Sequence, residues 1–216
     1  ITNDFGHAIK ELSKVLNIKG QVIPSTNTSV QLNAVMEDGE IVRGETNIPK
    51  TNKKIDRVFL EPGDVEPMEE AVEALEHADL IVLGPGSLYT SVISNLCVKG
   101  ISEALLRSNA PKLYVSNVMT QPGETDNYDV KEHIDAICQQ VGEDFIDFVI
   151  CSNENYSKDV LRKYEEKNSK PVEVHKEELK NKGIRVLTAS NLIEISDEHF
   201  VRPVSYTHLT LPTIYS

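Results

Sequence analysis

The sequence predicts an α/β protein with a mostly parallel β-sheet that is covered by helices on both faces. Two observations lead to this prediction. Short apolar runs at 80–83, 112–118 and 145–151 alternate with amphipathic segments of helical period, and strands buried on both faces are apolar throughout. Residues 20 to 60, in contrast, contain several short runs separated by turn residues, which indicates a small β-rich insert.

Each further element follows from a local signal. Asp4 can cap a first helix, in which apolar residues recur at helical spacing from Phe5 to Leu16. The insert is predicted to hold strands at 21–24, 29–36, 41–43 and 54–60, with Glu37-Asp38-Gly39-Glu40 as a hairpin turn. The remaining predictions are helices at 67–77, 91–107 with a break near Lys99-Gly100, 130–141 and 158–167, and short strands at 172–174 and 185–187.

Composition limits the function classes. The 216 residues suffice for a core, and one domain is predicted over residues 1–203. The formal net charge of −12 argues against nucleic acid as a partner, because phosphate backbones bind cationic surfaces. No apolar run reaches the roughly 20 residues that span a bilayer, and the first residues lack the features of a signal peptide. The sequence therefore predicts a cytoplasmic protein without a transmembrane segment.

No residue pattern indicates a metal centre or a catalytic group. Cys97, Cys138 and Cys151 form no CxxC pair and are predicted to be buried thiols. Five of the six histidines, namely His7, His77, His133, His175 and His199, have no mutual ligand spacing. The sequence also contains no Gly-x-Ser-x-Gly elbow and no arguable Cys/His pairing. We therefore predict no metal, no cofactor and no catalytic residue.

A glycine-containing loop follows the apolar strand at 80–83, and parallel sheets bind ligands at such strand ends. In Gly84-Pro85-Gly86-Ser87-Leu88-Tyr89-Thr90-Ser91 the glycines allow close approach of a ligand to the backbone. The N-terminus of the next helix and the hydroxyls of Ser87, Thr90 and Ser91 can then bind an anion. A tight turn capped by hydroxyls explains the same residues equally well, and no Walker A motif is present.

Two more polar loops follow the next apolar strands. The 117–126 loop offers neutral donors and acceptors in Asn117, Thr120 and Gln121. The residues alone slightly favour a different role for this loop, a polar turn in which Glu124 and Asp126 cap the next helix. In the third loop, Cys151-Ser152-Asn153-Glu154-Asn155, Ser152 or Asn153 is predicted to cap a helix rather than to bind a ligand.

These loops resemble the bacterial gluconeogenesis factor family (YvcK-like), which belongs with the CofD-like 2-phospho-L-lactate transferases. The resemblance rests on Leu83-Gly84-Pro85-Gly86-Ser87-Leu88-Tyr89-Thr90-Ser91-Val92-Ile93 and Asn117-Val118-Met119-Thr120-Gln121-Pro122-Gly123-Glu124-Thr125-Asp126. It is extended by Gly44-Glu45-Thr46-Asn47-Ile48-Pro49 and Val58-Phe59-Leu60-Glu61-Pro62, and it covers about residues 4–202. It implies a Rossmann-like sheet and a non-catalytic regulator that binds a UDP-sugar such as UDP-N-acetylglucosamine.

The resemblance also implies a biological role and a set of binding residues. The role is in cell shape and cell-wall synthesis during growth on gluconeogenic carbon sources. An aromatic residue and an arginine that contact the UDP-sugar in the family match Tyr164 and Arg202, where the residues alone indicate helix packing and a solvated strand end. The predicted ligand-binding residues are Gly84, Gly86, Ser87, Thr90, Ser91, Asn117, Thr120, Gln121, Tyr164 and Arg202.

Some expectations remain open at this stage. The alternative function is that of a transferase that moves a phospholactyl-type group to a deazaflavin acceptor, although its relatives carry a Ser-Asn-Pro-type loop in place of Gly86-Ser87-Leu88-Tyr89. The family's first strand and its Gly-Gly-Gly-Thr-Gly loop would precede Ile1, so the chain is expected to be truncated. Residues 204–216 resemble translated sequencing adapter and are excluded from the predicted domain. Homo-oligomers and cell-wall regulatory proteins are candidate partners.

Overall fold

Strands and helices alternate along most of the chain. The computed structural model describes residues 5–16, 19–189, 193–195 and 201–203. Asp4, His199 and the 204–216 tail lie outside these ranges, so the expectations for them remain predictions. In chain order the elements are α1 (Phe5–Val15), β1 (Gln31–Met36), β2 (Ile41–Arg43), a 3₁₀ turn (Ile48–Thr51), β3 (Ile55–Glu61), α2 (Glu69–Glu76), β4 (Ile81–Leu83), a π-helix (Leu88–Ile93), α3 (Ser94–Leu96), α4 (Lys99–Arg107), β5 (Lys112–Val115), α5 (Val130–Val141), β6 (Phe148–Ser152), α6 (Lys158–Glu165), α7 (Lys176–Asn181), β7 (Arg185–Ala189), β8 (Ile193–Ile195) and β9 (Val201–Pro203).

The predicted parallel sheet is present and has the order β4-β5-β6-β7. Leu83 pairs with Tyr114, Tyr114 with Val149, and Val149 with Val186, all in parallel register. The three apolar runs are therefore parallel neighbours, as predicted, and the α/β fold class is confirmed. Because the strands are parallel, their carboxyl ends lie along one edge of the sheet, and the loops that follow them can meet there.

The insert forms an antiparallel sheet of order β2-β1-β3. The predicted turn joins β1 to β2, with the N–H of Gly39 donating to the carbonyl of Met36 at 2.8 Å. The strand predicted at 21–24 is wrong, since these residues are irregular. The strand predicted at 172–174 is also wrong: Pro171 forms only an isolated bridge with Met119, and the carbonyl of Glu173 accepts from the N–H of Val130 in place of a continued ladder.

One continuous apolar core joins the insert to the parallel sheet. Met36 and Val58 of the insert belong to the same cluster as Tyr114, Ile134 and Leu105. Burial of each large apolar side chain contributes about 1.5–3 kcal/mol, so this shared core holds the insert against the sheet. Within the described ranges, no helix has both the length and the apolar character needed to cross a bilayer.

The thiol predictions are confirmed for two of the three cysteines. Cys138 and Cys151 are buried and free, whereas Cys97 is half-buried and also free. Burial raises the pKa of Cys138 and of Cys151 to about 11. Both groups therefore stay protonated at neutral pH and pack as small apolar side chains. The short helix α7 and the β8–β9 ribbon had no counterpart among the predicted elements.

Gly123 provides a test of how the 117–126 loop packs. Its φ is +79°, and a Cβ built on it would lie 2.0 Å from the carbonyl oxygen of Pro49. Gly142 has a similar φ of +90° but no atom within 4 Å of such a Cβ. We expect Gly142→Ala to cost about 1–2 kcal/mol of unfolding free energy for the left-handed backbone alone. We expect Gly123→Ala to cost at least about 1 kcal/mol more, because backbone must also move. Equal urea midpoints for the two variants would contradict this packing.

Candidate functional site

The loops after β4 and β5 contact each other at the carboxyl edge of the sheet. The side-chain amide of Asn117 donates to the carbonyl oxygen of Gly86 at 3.1 Å. The hydroxyl of Thr90 donates to Oε1 of Glu124 at 3.2 Å. These two loops therefore lie on the same side of the sheet.

The 84–91 loop has a backbone that requires both of its glycines. Gly84 has a φ of +84°, and a Cβ there would lie 3.1 Å from the carbonyl oxygen of Val115. A Cβ on Gly86 would lie 2.9 Å from the Cβ of Ser91, so a side chain could enter only if the loop moved. The loop leads into the π-helix, where the N–H of Val92 donates to the carbonyl of Ser87 at 3.0 Å. The glycines thus allow the helix N-terminus to fold back against the strand end.

A buried carboxylate lies at this helix N-terminus. Glu124 is 4% exposed, and its Oε1 accepts from Nε2 of Gln121 at 2.8 Å as well as from Thr90. Burial raises the pKa of Glu124, while the Thr90 hydroxyl and the backbone N–H groups of Tyr89 and Thr90 lower it in part. Among the described residues its Oε2 has no hydrogen-bond partner. The carboxylate of Glu124 therefore occupies part of the site that the sequence predicted for a bound anion.

The predicted caps of the following helix are wrong. Asp129, and not Glu124 or Asp126, caps α5 in a capping box with Glu132. Asp126 instead accepts from the N–H of Gly123 at 2.7 Å. The reason is that the loop continues for several residues beyond Asp126 before the helix begins, so Asp129 is the residue that reaches the free N–H groups of its first turn.

Buried aromatic side chains support the two loops. The hydroxyls of Tyr89 and Tyr128 lie 2.9 Å apart, and the ring of His133 contacts Tyr128 edge-on and Tyr114 in a stacked arrangement. Nδ1 of His133 donates to the carbonyl oxygen of Asp129 at 2.7 Å. Burial lowers the pKa of His133, so the ring is neutral at physiological pH. The cluster is a packed support, and on its outer side Tyr89 and Tyr128 line an open cavity of about 160 Å³.

Asn117 is held from both sides. Its Oδ1 accepts from the hydroxyl of Tyr114 at 3.1 Å, while its amide N–H donates to Gly86. Tyr114 is fully buried on β5, so the core fixes the position of this hydroxyl. An amide has two donors and two acceptor lone pairs, which leaves one N–H and one lone pair for another group. Asn117 thus combines a fixed orientation with free hydrogen-bonding capacity.

An open cavity of about 410 Å³ lies between the ends of β5 and β6. It combines neutral polar side chains with apolar ones, and a single carboxylate contributes to its wall. The residues that line it are Ser116, Asn117, Val118, Cys151, Ser152, Asn153, Glu154, Asn155, Tyr156, Leu161, Pro171, Val172 and Val174. The loop that follows β6 therefore forms one wall of the cavity.

The predicted cap in this third loop is also wrong. Ser157 caps α6 by accepting from the N–H of Val160, whereas Ser152 accepts from the N–H of Glu154 and the hydroxyl of Tyr156, both at 3.2 Å. The cavity-lining role of 151–156 was missed, although the position of the loop at a strand end was the signal that could have indicated it. The buried Glu124 was missed as well, because burial of a carboxylate has no local signature.

The predicted binding residues fall into three groups. Asn117, Ser87 and Ser91 lie at the loop contact, and Ser91 is exposed. Thr90 and Gln121 bind Glu124. Thr120 is buried, and its hydroxyl and N–H are paired with the backbone of Lys170.

The two residues that only the resemblance identified lie elsewhere in the chain. Tyr164 packs with Tyr156 and Val160 against Val118, next to the cavity. The backbone of Arg202 pairs with that of Glu194 in the β8–β9 ribbon. Within the part of the chain that the structure describes, no three His, Cys, Asp or Glu side chains are placed to bind a metal ion. The absence of a cofactor and of a catalytic residue stays a prediction.

Comparison with known proteins shows the family to which this chain belongs. The family described as "2-phospho-L-lactate transferase CofD" matches residues 1–192. The chain therefore belongs to the CofD family of α/β proteins. It is 46% identical over 187 residues to the "Gluconeogenesis factor" of Bacillus subtilis, and 47% identical over 197 residues to that of Halalkalibacterium halodurans. The predicted resemblance to gluconeogenesis factors is confirmed.

The chain spans only part of the length of these relatives. The two matches span 87% and 91% of this chain but only 59% and 61% of the relatives' lengths. A crystal structure of a protein from Bacillus halodurans superposes with a TM-score of 0.88 at 45% identity, covering 94% of this chain and 65% of that one. The fold is therefore shared along most of the chain, whereas the relatives contain more than the part that is matched.

Glu124 predicts a pH dependence of stability. Because its pKa is raised in the folded state, its protonated form stabilises the fold, and that contribution is lost as pH rises through the folded pKa. In Glu124→Gln the group is neutral at every pH. The unfolding free energy of the wild-type chain, taken relative to that of Glu124→Gln, should therefore rise as pH falls from 7 and level off below the ordinary value of 4.5.

The measurement is urea denaturation of both proteins at several pH values. A difference that stays constant between pH 7 and pH 4 would show that Glu124 does not titrate as a buried group. Glu143→Gln is a matched control, since Glu143 is exposed between α5 and β6.

Proposed function

We propose that this chain is the ligand-binding part of a gluconeogenesis factor and that it binds a UDP-sugar, UDP-N-acetylglucosamine, at the carboxyl edge of the parallel sheet. One observation carries the proposal: Asn117 contacts the loop after β4, and it also lines, together with the loop after β6, an open cavity of about 410 Å³. Open α/β sheets bind nucleotides at this edge, because backbone N–H groups and loop side chains converge there.

The residues at the edge suit a nucleotide sugar. Ser87 and Ser91 offer hydroxyls beside a helix N-terminus, which favours negative charge. Glu124 already accepts some of the hydrogen bonds that groups at this helix N-terminus can donate. A diphosphate would therefore depend on the serine hydroxyls, on Asn117 and on a cation from another part of the chain. Arg202 is our candidate for that cation, since a guanidinium can bind a diphosphate through two N–H groups.

We further propose that the protein acts as a regulator and not as an enzyme, with a role in cell shape and wall synthesis during growth on gluconeogenic carbon. The names of its relatives support the gluconeogenic part of this proposal. The alternative is phospholactyl transfer to a deazaflavin, which the description of the family supports. The 84–91 loop favours the regulator, because it reads Gly86-Ser87-Leu88-Tyr89 where the transferases carry a Ser-Asn-Pro-type loop.

Titration of the 216-residue chain with UDP-N-acetylglucosamine tests the binding proposal. The chain contains no Gly-Gly-Gly-Thr-Gly loop, so we expect a Kd of about 1 mM, equivalent to about −4 kcal/mol. Amide NMR spectra recorded up to about 10 mM ligand detect such binding. Shifts should appear for amides of the 84–91 and 117–126 loops. Unchanged spectra at the highest concentration would refute the proposal, and binding of a deazaflavin in place of the UDP-sugar would favour the transferase.

Arg202→Ala tests the proposed cation. Loss of a charge-assisted pair costs about 1.5–3 kcal/mol, so the Kd should rise by about ten- to a hundredfold and leave the titration range. Arg107→Ala is the matched control, because Arg107 ends α4 in an exposed pair with Glu76 at the opposite edge of the sheet. Equal affinity of the two variants would remove Arg202 from the site.

A further inference from the structure

We infer that Glu124 links anion binding at the 84–91 loop to protons: the protein takes up a proton on Glu124 when the anion binds, and it therefore binds the anion more tightly at lower pH. This inference rests on the proposed function, because it concerns the regulation of the same site. The sequence alone indicated Glu124 only as a helix cap, whereas the structure buries its carboxyl group between two loops of that site.

Glu124 lies beside the groups to which the proposed function assigns the phosphates. Its Oε1 accepts from the hydroxyl of Thr90 at 3.2 Å. Thr90 belongs to the same helical turn as Ser87 and Ser91, since the N–H of Ser91 donates to the carbonyl of Ser87 at 3.0 Å. Side chains three or four residues apart in a helix have Cβ atoms about 5–6 Å apart. An anion bound by the two serine hydroxyls would therefore lie within one helical turn of the carboxyl group.

Burial makes the charge of Glu124 effective at that distance. The residue is almost fully buried, so water screens its charge poorly. A second negative charge nearby disfavours the ionised form of a carboxyl group. A bound anion therefore raises the pKa of Glu124, and by thermodynamic reciprocity the protonated form of Glu124 favours the anion.

The carboxyl group can change its charge without loss of its contacts. Gln121 and Thr90 both donate to the same oxygen, Oε1. Within the described ranges of the chain, Oε2 has no hydrogen-bond partner. A proton can therefore bind to Oε2 while Oε1 continues to accept both hydrogen bonds. Protonation thus removes the negative charge and leaves the contact between the two loops intact.

The groups that face Glu124 from other elements determine where it titrates. Burial is the largest cause of its raised pKa, and the carboxylate of Glu45, in the loop after β2, raises the pKa further. The Thr90 hydroxyl and the N–H groups of Tyr89 and Thr90 lower it in part. The Tyr89 hydroxyl is a second titratable group near the carboxyl group, and it stays neutral because burial raises its own pKa. Glu45 is exposed, so its replacement can change the pKa of Glu124 with little effect on packing.

The sign of the pH dependence follows from these contacts. At high pH Glu124 is ionised and the anion binds weakly. As pH falls through the folded-state pKa the affinity rises, and it levels off once Glu124 is also protonated in the free protein. An anion that raises this pKa by about one gains about tenfold in affinity between the two limits. Glu124→Gln is neutral at every pH and should remain near the tight limit.

The test is a series of amide NMR titrations of the full 216-residue chain with UDP-N-acetylglucosamine, in EDTA, from about pH 8 to about pH 4.5. The diphosphate of this ligand keeps its charge over that range, so a change in Kd originates in the protein. We expect the Kd of the wild-type chain to fall about tenfold toward acidic pH, and that of Glu124→Gln to stay constant and low. The side-chain carboxyl carbon of Glu124 should also titrate at higher pH with the ligand than without it.

Glu143→Gln is the matched control, because it removes the same charge at an exposed position between α5 and β6, at the opposite edge of the sheet. It should keep the wild-type pH profile. Glu45→Gln should move the rise in affinity to lower pH, because it removes a like charge that raises the pKa of Glu124. The amide spectrum shows whether each variant is folded. If Glu124→Gln is not, the Glu45→Gln profile and the carboxyl titration of the wild-type chain decide.

The outcomes separate the inference from the proposed function. A Kd that is the same at every pH, with an unchanged titration of Glu124, refutes the inference while the binding proposal stands. An equal pH dependence in Glu124→Gln and the wild-type chain also refutes the inference. If the UDP-sugar shifts no amide at any pH, the binding proposal is refuted, and sodium sulfate becomes the probe, compared with sodium chloride at equal ionic strength. Sulfate shifts of the 84–91 amides that strengthen at acidic pH only when Glu124 is present support the inference; absent or pH-independent shifts refute it.

Discussion

The side chain of Asn117 is the contact on which the carboxyl edge of the sheet depends. It accepts from Tyr114 and donates to Gly86, so it ties the loop after β5 both to the core and to the loop after β4. Leaving a buried hydrogen-bonding group unpaired costs about 1–3 kcal/mol, which makes any other orientation of this amide unfavourable. The geometry of the edge is therefore set by the buried tyrosine before any ligand binds.

Glu124 adds a second constraint of a different kind. A buried carboxylate is costly, and here its cost is offset by the Thr90 hydroxyl, the Gln121 amide and the N-terminus of the π-helix. The two loops are thus joined by an internal anion at a position where many α/β proteins bind a phosphate. This arrangement directs an external anion toward the exposed serine hydroxyls and away from the centre of the helix N-terminus.

Together, Asn117 and Glu124 give the two sides of the carboxyl edge different properties. One side has a helix N-terminus and hydroxyls and favours negative charge, whereas the other side is a cavity lined mostly by uncharged side chains, with one carboxylate in its wall. The UDP-sugar that we propose would place its phosphates on the side with the helix N-terminus.

The sequence by itself determined the parallel sheet, the antiparallel insert and the loops that matter, because apolar runs and glycine-containing turns are local signals. The runs at 21–24 and 172–174 show that tertiary contacts can still override such signals. It also determined the family, through the two loop sequences. Tertiary structure alone decided which polar side chains are available to a ligand. Thr120 is paired with Lys170 and Glu124 is buried, whereas Asn153 lines a cavity. The physical reason is that burial and hydrogen-bond partners come from segments distant in sequence, such as Lys170 for Thr120, and no local pattern of residues encodes them.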